Sequence, residues 1–220
     1  PQVQWIETRC IGCETCLAAC PKGALTRLPN GSIAVDRALC QGCGTCAEVC
    51  PANAMELLGR TVTLDDLTQE LLKDKAYFGT DGGVTASGGE PTLQPAFVSA
   101  LFQRLQSEGV HTALDTCGAC SQSHLSQILP HTDLVLFDLK LMDNNHHRQE
   151  TGQENQRILN NLLALAELIK TNHRQTELWI RTPLIPGITT TEENLHNISA
   201  FLHENLNGTV TRWELCAFNN

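Results

Sequence analysis

The residues best equipped for chemistry are eight cysteines in two copies of one pattern. Cys10, Cys13, Cys16 and Cys20 precede Pro21, and Cys40, Cys43, Cys46 and Cys50 precede Pro51. Each copy reads C-x2-C-x2-C-x3-C-P, a spacing in which three thiolates of one loop converge on a 4Fe-4S cube and the fourth reaches the other cube. Cys10, Cys13, Cys16 and Cys50 are thereby expected on one cluster, and Cys40, Cys43, Cys46 and Cys20 on a second. The prolines turn the chain away after each fourth ligand. Zinc more often takes two C-x2-C pairs with a longer gap, and a disulfide framework needs an oxidising compartment, for which no signal peptide is present.

A second set of polar residues follows a series of apolar segments: Ser87-Gly88-Gly89-Glu90, Asp115-Thr116-Cys117-Gly118, Asp138 with Lys140, Arg181 with Pro183 and Pro186-Gly187, and Asn219-Asn220. The segments ahead of them read as strands: Gly83 to Ala86, Thr112 to Asp115, Asp133 to Asp138, Glu177 to Thr182, and Val210 to Cys216. Helices alternate with them. One carries Leu93, Phe97, Leu101 and Leu105 and stops at Gly109, and a short one ends at Pro130. A third carries Ile158, Leu162, Leu165 and Ile169, and the last runs through Leu195, Ile198, Leu202 and Leu206 from a capping box of Thr190 and Glu193. Such units build a parallel sheet, and gathering the polar residues at one mouth favours a barrel. Five units are too few to close eight strands, so the expected α/β fold is a partial, open (β/α) barrel over residues 61–220.

Residues 1–60 form a small α+β ferredoxin-like module, with short strands at Ala24 to Leu28 and Ser32 to Asp36. Thr63 is a plausible N-cap for a helix bearing Leu64, Leu67 and Leu71. Cys117 and Cys120 read as small packing residues, Cys216 falls in the last strand, and His146 and His147 fall in a polar, solvated loop. With 220 residues, a formal charge of -9 and a pI near 5.3, the chain lacks the clustered cations that nucleic acid requires. No apolar run approaches the ~20 residues of a membrane span. Thiol richness without a secretory segment indicates a reducing cytoplasm, and low-potential clusters an anaerobic setting.

Taken together, the double cysteine run, Gly82-Gly83-Val84-Thr85-Ala86-Ser87-Gly88-Gly89-Glu90-Pro91, Leu114-Asp115-Thr116-Cys117-Gly118, Phe137-Asp138-Leu139-Lys140, Thr151-Gly152 with Asn155, and Arg181-Thr182-Pro183-Leu184-Ile185-Pro186-Gly187 carry a resemblance. The chain resembles the glycyl radical enzyme activating enzymes of the radical S-adenosylmethionine superfamily, relatives of pyruvate formate-lyase activating enzyme with a ferredoxin-like insertion. The resemblance implies that a reduced 4Fe-4S cluster cleaves S-adenosylmethionine and that a 5'-deoxyadenosyl radical takes hydrogen from a glycine of a partner glycyl radical enzyme. It implies an electron donor such as flavodoxin or ferredoxin. It places Gly88 and Gly89 against the methionine ammonium with Glu90 beside it, gives Lys140 and Arg181 to carboxylate and ribose contacts, and leaves Asp115 and Asp138 to accept hydrogen bonds or hold a small cation. An ion pair of Asp138 with Lys140, or an Arg181 that braces a loop, is the alternative use of those residues.

Two departures stand out. No three cysteines have the superfamily's C-x3-C-x2-C spacing, and Ala217-Phe218-Asn219 stands where many relatives carry Pro-aromatic-His, which puts an adenine contact there in question. Because the chain starts at Pro1 and stops at Asn220 directly after a strand, it is expected to be a fragment, inactive alone, whose parent supplies the first strand, the missing cysteines with a third 4Fe-4S cluster, and the C-terminal end. The rival readings are an iron-sulfur electron-transfer protein with a ligand-binding barrel and a binding module with purely structural clusters.

Overall fold

The computed structural model describes residues 2–80, 82–171 and 175–217, so the expectations on Phe218, Asn219 and Asn220 lie outside the described residues. The chain divides into two compact units, Pro1–Thr63 and Leu64–Asn220.

The first unit is an internal repeat in which each position of the second copy follows its counterpart by 30 residues, as Cys40 follows Cys10. Strand β1 (Gln2–Trp5) pairs antiparallel with β4 (Met55–Leu58), and β2 (Leu25–Arg27) with β3 (Ile33–Val35). The outer pair was not foreseen, and the expected inner strands shorten to three residues each. Short helices α1 (Thr15–Ala19) and α2 (Thr45–Glu48) start just ahead of Cys16 and Cys46, whose buried side chains join Val3, Leu25, Ile33 and Met55 in one core. Both helices begin after a left-handed residue. In the second copy it is Gly44 (φ 86), and in the first it is Glu14 (φ 60), held by an ion pair with Arg27. That conformation costs a non-glycine residue about 1–2 kcal/mol.

The second unit opens with helices α3 (Leu64–Leu72) and α4 (Lys75–Phe78). A parallel sheet then follows in chain order: β5 (Gly83–Ala86), β6 (His111–Thr116), β7 (Leu134–Asp138), β8 (Glu177–Leu184) and β9 (Val210–Ala217). Helices α5 (Pro95–Ser107), α6 (Gln122–Ile128), α7 (Asn144–Thr151), α8 (Gln156–Thr171) and α9 (Glu192–Leu206) lie between the strands. One sheet face is sealed: Leu114, Val135, Phe137, Leu178 and Ile180 pack with the apolar stripes of α5, α6, α8 and α9. Burying such side chains contributes about 1.5–3 kcal/mol each.

Several local expectations are corrected. Leu93 is 68% exposed in a 3-10 turn (Pro91–Leu93), because α5 starts only at Pro95 and buries Val98, Leu101, Phe102 and Leu105. The cap of α9 is Thr191, which accepts from the Asn194 amide, and not Thr190. His146 and His147 sit in α7, where His147 is buried and its Nδ1 lies 2.7 Å from the Gln153 carbonyl. Among the described residues no helix is long and apolar enough to cross a membrane.

Candidate functional site

In the first unit the cysteines line two cavities. One holds Cys10, Cys13, Cys16 and Cys50, and the other Cys20, Cys40, Cys43 and Cys46, the grouping that the spacing predicts. Among the described residues no set of three or more His, Cys, Asp or Glu converges closely enough for a single metal ion. Four thiols that line one cavity, three of them from a single C-x2-C-x2-C loop, fit a 4Fe-4S cube. The local hydrogen bonds repeat as the sequence does. The Ala24 and Ala54 amides donate to Cys20 and Cys50 sulfurs at 3.3 and 3.2 Å, and Thr15 and Thr45 hydroxyls lie 3.4 Å from Cys13 and Cys43 sulfurs. The threonine hydrogen bonds lower the pKa of Cys13 and Cys43. Burial raises that of Cys50, but the amides of Met55, Ala54 and Ala52 outweigh it. These bonds favour the thiolates that metal ligation needs. Cys16 and Cys46 are raised by burial, a cost that bonding to iron would offset.

In the second unit the polar residues gather at the carboxyl ends of the strands. Glu90 is the anchor of its loop: Oε1 accepts from the Thr92 amide (3.1 Å), the Thr92 hydroxyl (2.7 Å) and the Thr116 hydroxyl (2.7 Å), while Oε2 accepts from the Cys117 amide (3.0 Å) and thiol (3.1 Å). Burial works to raise its pKa, but these donors outweigh burial and hold the carboxyl below the usual range. Both oxygens are thus engaged within the protein. What Glu90 does is clip Gly88 and Gly89 onto the end of β6.

Asp115, Asp138, Arg181 and Glu214 share the sheet face opposite the helices, because Asp138 pairs with Arg181, Arg181 with Glu214, and Asp115 with Leu136, two residues before Asp138. Arg181 Nη1 donates to Asp115 at 3.0 Å and its Nε lies 3.8 Å from Glu214, while Lys140 pairs with Asp138 at 3.3 Å. The ladder continues: Arg212 donates to Glu214 at 3.2 Å and stacks 4.2 Å from the centre of the Trp179 ring, whose Nε1 donates to Glu177 at 2.9 Å. Asp115 has a raised pKa despite its Arg181 partner. Burial is the larger cause, and the charges of Asp138 and Glu90 add to it. Burial lowers Arg181, yet its hydrogen bond to Cys216 and the charges of Asp115 and Asp138 raise it overall. By its ionisable groups the cluster carries more negative than positive charge. Glu90, Asp115, Asp138 and Glu214 face Lys140 and Arg181, with Arg212 further along.

Three buried asparagines, not singled out for this role from sequence, hold the loops around that cluster. Asn161 Nδ2 donates to the Gly118 and Cys120 carbonyls at 2.8 and 3.0 Å. Asn155 Nδ2 donates to the Leu141 and Met142 carbonyls at 3.0 and 2.8 Å, and Asn194 Nδ2 to Lys140 and Thr189 carbonyls at 2.9 and 3.1 Å. Asn161 and Asn194 were legible in principle, as polar residues at positions of α8 and α9 that helical spacing turns inward. Cys117 is engaged with Glu90, Cys120 is buried, and Cys216 lies in β9.

Comparison with known proteins accords with this arrangement. The Radical SAM superfamily profile matches residues 40–198, and the 4Fe-4S dicluster domain profile matches residues 9–57. The isethionate sulfite-lyase activating enzyme of Nitratidesulfovibrio vulgaris is 37% identical over 194 residues, covering 87% of this chain and 62% of its own. The (2S)-3-sulfopropanediol dehydratase activating enzyme of Klebsiella oxytoca is 33% identical over 222 residues, covering 99% and 68%. A crystal structure of a domain of pyruvate-formate lyase-activating enzyme from Bacteroides vulgatus superposes with a TM-score of 0.56 at 30% identity, covering 63% of this chain and 81% of that one. The chain spans 62% of the length of the first of these relatives. On the strength of the matched profiles and of relatives aligned along nearly all its length, the chain belongs to the radical SAM superfamily, among activating enzymes that carry a 4Fe-4S dicluster domain.

Proposed function

We propose that this chain is part of an activating enzyme that seats S-adenosylmethionine on the carboxyl ends of β5 to β8 and acts on a glycine of a partner glycyl radical enzyme. The observation that carries the reading is the excess of carboxylates at those strand ends, which suits a ligand bringing both a sulfonium and an ammonium. The backbone of Gly88 and Gly89, clipped in place by Glu90, meets the ammonium. Arg181 and Lys140 meet the methionine carboxylate and the ribose, and Asp115 and Asp138 accept from ligand hydroxyls or hold a small cation. Holding the ligand in this frame fixes its geometry before reaction. In the cysteine unit, Cys10, Cys13, Cys16 and Cys50 hold one 4Fe-4S cluster and Cys20, Cys40, Cys43 and Cys46 another, and these relay electrons from a donor such as flavodoxin or ferredoxin. A third 4Fe-4S cluster, facing S-adenosylmethionine, would when bound and reduced supply the electron that breaks the sulfonium bond, for removal of hydrogen from the partner's glycine.

The cysteines for that third, S-adenosylmethionine-facing cluster are absent in C-x3-C-x2-C spacing from this sequence. The 220-residue chain is therefore expected to bind S-adenosylmethionine without cleaving it. Equilibrium dialysis with labelled ligand tests the site: wild type binds saturably, and Asp138→Asn or Arg181→Met weakens binding about tenfold or more, a loss of about 1.4 kcal/mol or greater. Unsaturable binding, or variants indistinguishable from wild type, rejects the site. Anaerobic 5'-deoxyadenosine formation by an N-terminally extended chain, with a glycyl radical signal on the partner, tests the activity.

A further inference from the structure

The two cysteine cavities share their thiol spacing and differ at several lining positions, of which one is an indole. Trp5, at the end of β1 opposite Met55, lines the cavity of Cys10, Cys13, Cys16 and Cys50. Its Nε1 is buried and has no hydrogen-bond partner among the described residues. An indole N–H can only donate, and a buried donor calls for an acceptor. Of the charged side chains around this cavity, Arg27 is itself donor-only and Glu14 is engaged by Arg27. Sulfur of a cluster seated in the cavity would be an acceptor for the indole N–H. The repeat counterpart of Trp5, 30 residues on, is Val35, which has no donor at all. The amide and threonine bonds to cysteine sulfur, by contrast, occur in both copies and act on both sites alike.

We propose that Trp5 donates its indole N–H to a sulfur of the cluster bound by Cys10, Cys13, Cys16 and Cys50 and so raises the reduction potential of that cluster alone. This rests on the reading of the cysteines as ligands of two clusters. One added electron increases the negative charge on the cluster sulfurs, so the hydrogen bond is stronger in the reduced state and favours reduction. Lys22 lines the other cavity, where its counterpart in the first is Ala52, but it is exposed, screened by water and salt, and unaltered by any change at Trp5.

The test is Trp5→Phe, which keeps an aromatic ring and deletes the donor, in the full chain reconstituted anaerobically with iron and sulfide. Dithionite titration followed by electron paramagnetic resonance is expected to show one midpoint falling and the other fixed. At a given solution potential the oxidised-to-reduced ratio of the affected cluster rises about tenfold, equivalent to 59 mV for one electron. Two unchanged midpoints, in a variant with wild-type iron and sulfide content, overturn the proposal. Should the variant fail to load its clusters, wild-type protein carrying 15N-indole tryptophan decides: a nitrogen hyperfine coupling on one reduced cluster supports the donor, and its absence overturns it. Iron and sulfide content of the wild type separately tests the two-cluster reading, since a wild type that loads no cluster fails at that step.

Discussion

Gly118 offers the sharpest test of how the sheet positions its loops. Its φ of +68° lies in the left-handed region, and a Cβ built there would stand 2.3 Å from Phe137 Cζ and 2.7 Å from Cε2. Gly118→Ala therefore meets two separate penalties. The left-handed backbone costs alanine about 1–2 kcal/mol. Overpacking against a ring that is fully buried in the core adds about 1–3 kcal/mol. A total of about 2–5 kcal/mol is expected, read as a lowered urea midpoint with unchanged slope by circular dichroism. Phe137→Leu removes the obstructing ring, so in a double-mutant cycle it should recover the steric share, a coupling of about 1–3 kcal/mol, and leave the backbone share. The effect should reach the ligand site. The Gly118 amide donates to Thr116 Oγ1 at 3.0 Å, and that hydroxyl donates to Glu90 at 2.7 Å, so a displaced Gly118 loosens the Gly88–Gly89 loop and weakens S-adenosylmethionine binding. A loss below about 0.5 kcal/mol, within the range of ordinary surface changes, or strict additivity of the two substitutions would refute this account of the packing.

Other outcomes follow from the same contacts. Glu90→Gln should cost about 2–3 kcal/mol at neutral pH, because charge-assisted bonds are lost and an amide group faces donors. The Glu90 carboxylate has a depressed folded pKa, so its stabilisation is complete above the unfolded value of about 4.3 and fades as pH falls through the folded value. The gap between wild type and Glu90→Gln in urea melts should accordingly narrow in acid. Asp115 has the opposite sign: with a raised folded pKa, it makes stability fall as pH rises from about 3.9 through the folded value, and Asp115→Asn should lack that decline. Asn161→Leu leaves the Gly118 and Cys120 carbonyls without their donor and should cost about 2 kcal/mol or more by urea denaturation.

The parallel strands were legible because each is a short apolar run with a polar residue at its carboxyl end, and β5 to β9 fall within two residues of where the sequence placed them. Helix α7 was not, since Asn144–Thr151 has no apolar stripe. Its ends do the work: Asp143 accepts from the His146 amide at 2.6 Å, and Gly152 (φ 77) closes it. The cap of α9 was misplaced by one residue because Thr189, Thr190 and Thr191 are locally equivalent. The choice is made by the loop, which engages Thr189 with Ile185 and Pro183 and Thr190 with Gly187, leaving Thr191 to cap. Strands β1 and β4 escaped because each is only four residues long and they pair across the whole cysteine repeat. At the strand ends the residue types were readable, but the inward role of Glu90 was not. It depends on Thr116 and Cys117, 26 and 27 residues away, and no local pattern announces such partners.

The charges on the open sheet face explain why one cation there is hard to replace. Arg181 reaches Asp115 through Nη1 and stands 3.8 Å from Glu214 through Nε, so a single planar group on β8 links carboxylates of β6 and β9, across a width of four strands. A lysine ammonium is one compact charge and cannot address both carboxylates in that geometry. Without the guanidinium, Asp115, Asp138 and Glu214 would face each other across adjacent strands with only Lys140 and Arg212 to balance them. Their mutual repulsion would raise the pKa of Asp115 further and draw a proton onto the site. A bound sulfonium and ammonium would act in the opposite sense, restoring charge balance and keeping Asp115 ionised. Ligand affinity should thus fall as pH drops and Asp115 is protonated, and Arg181→Lys should shift that dependence to higher pH. A flat pH profile for S-adenosylmethionine binding between pH 4 and 7, the range between ordinary carboxylate titration at about 4 and neutrality, would remove the electrostatic basis of the site.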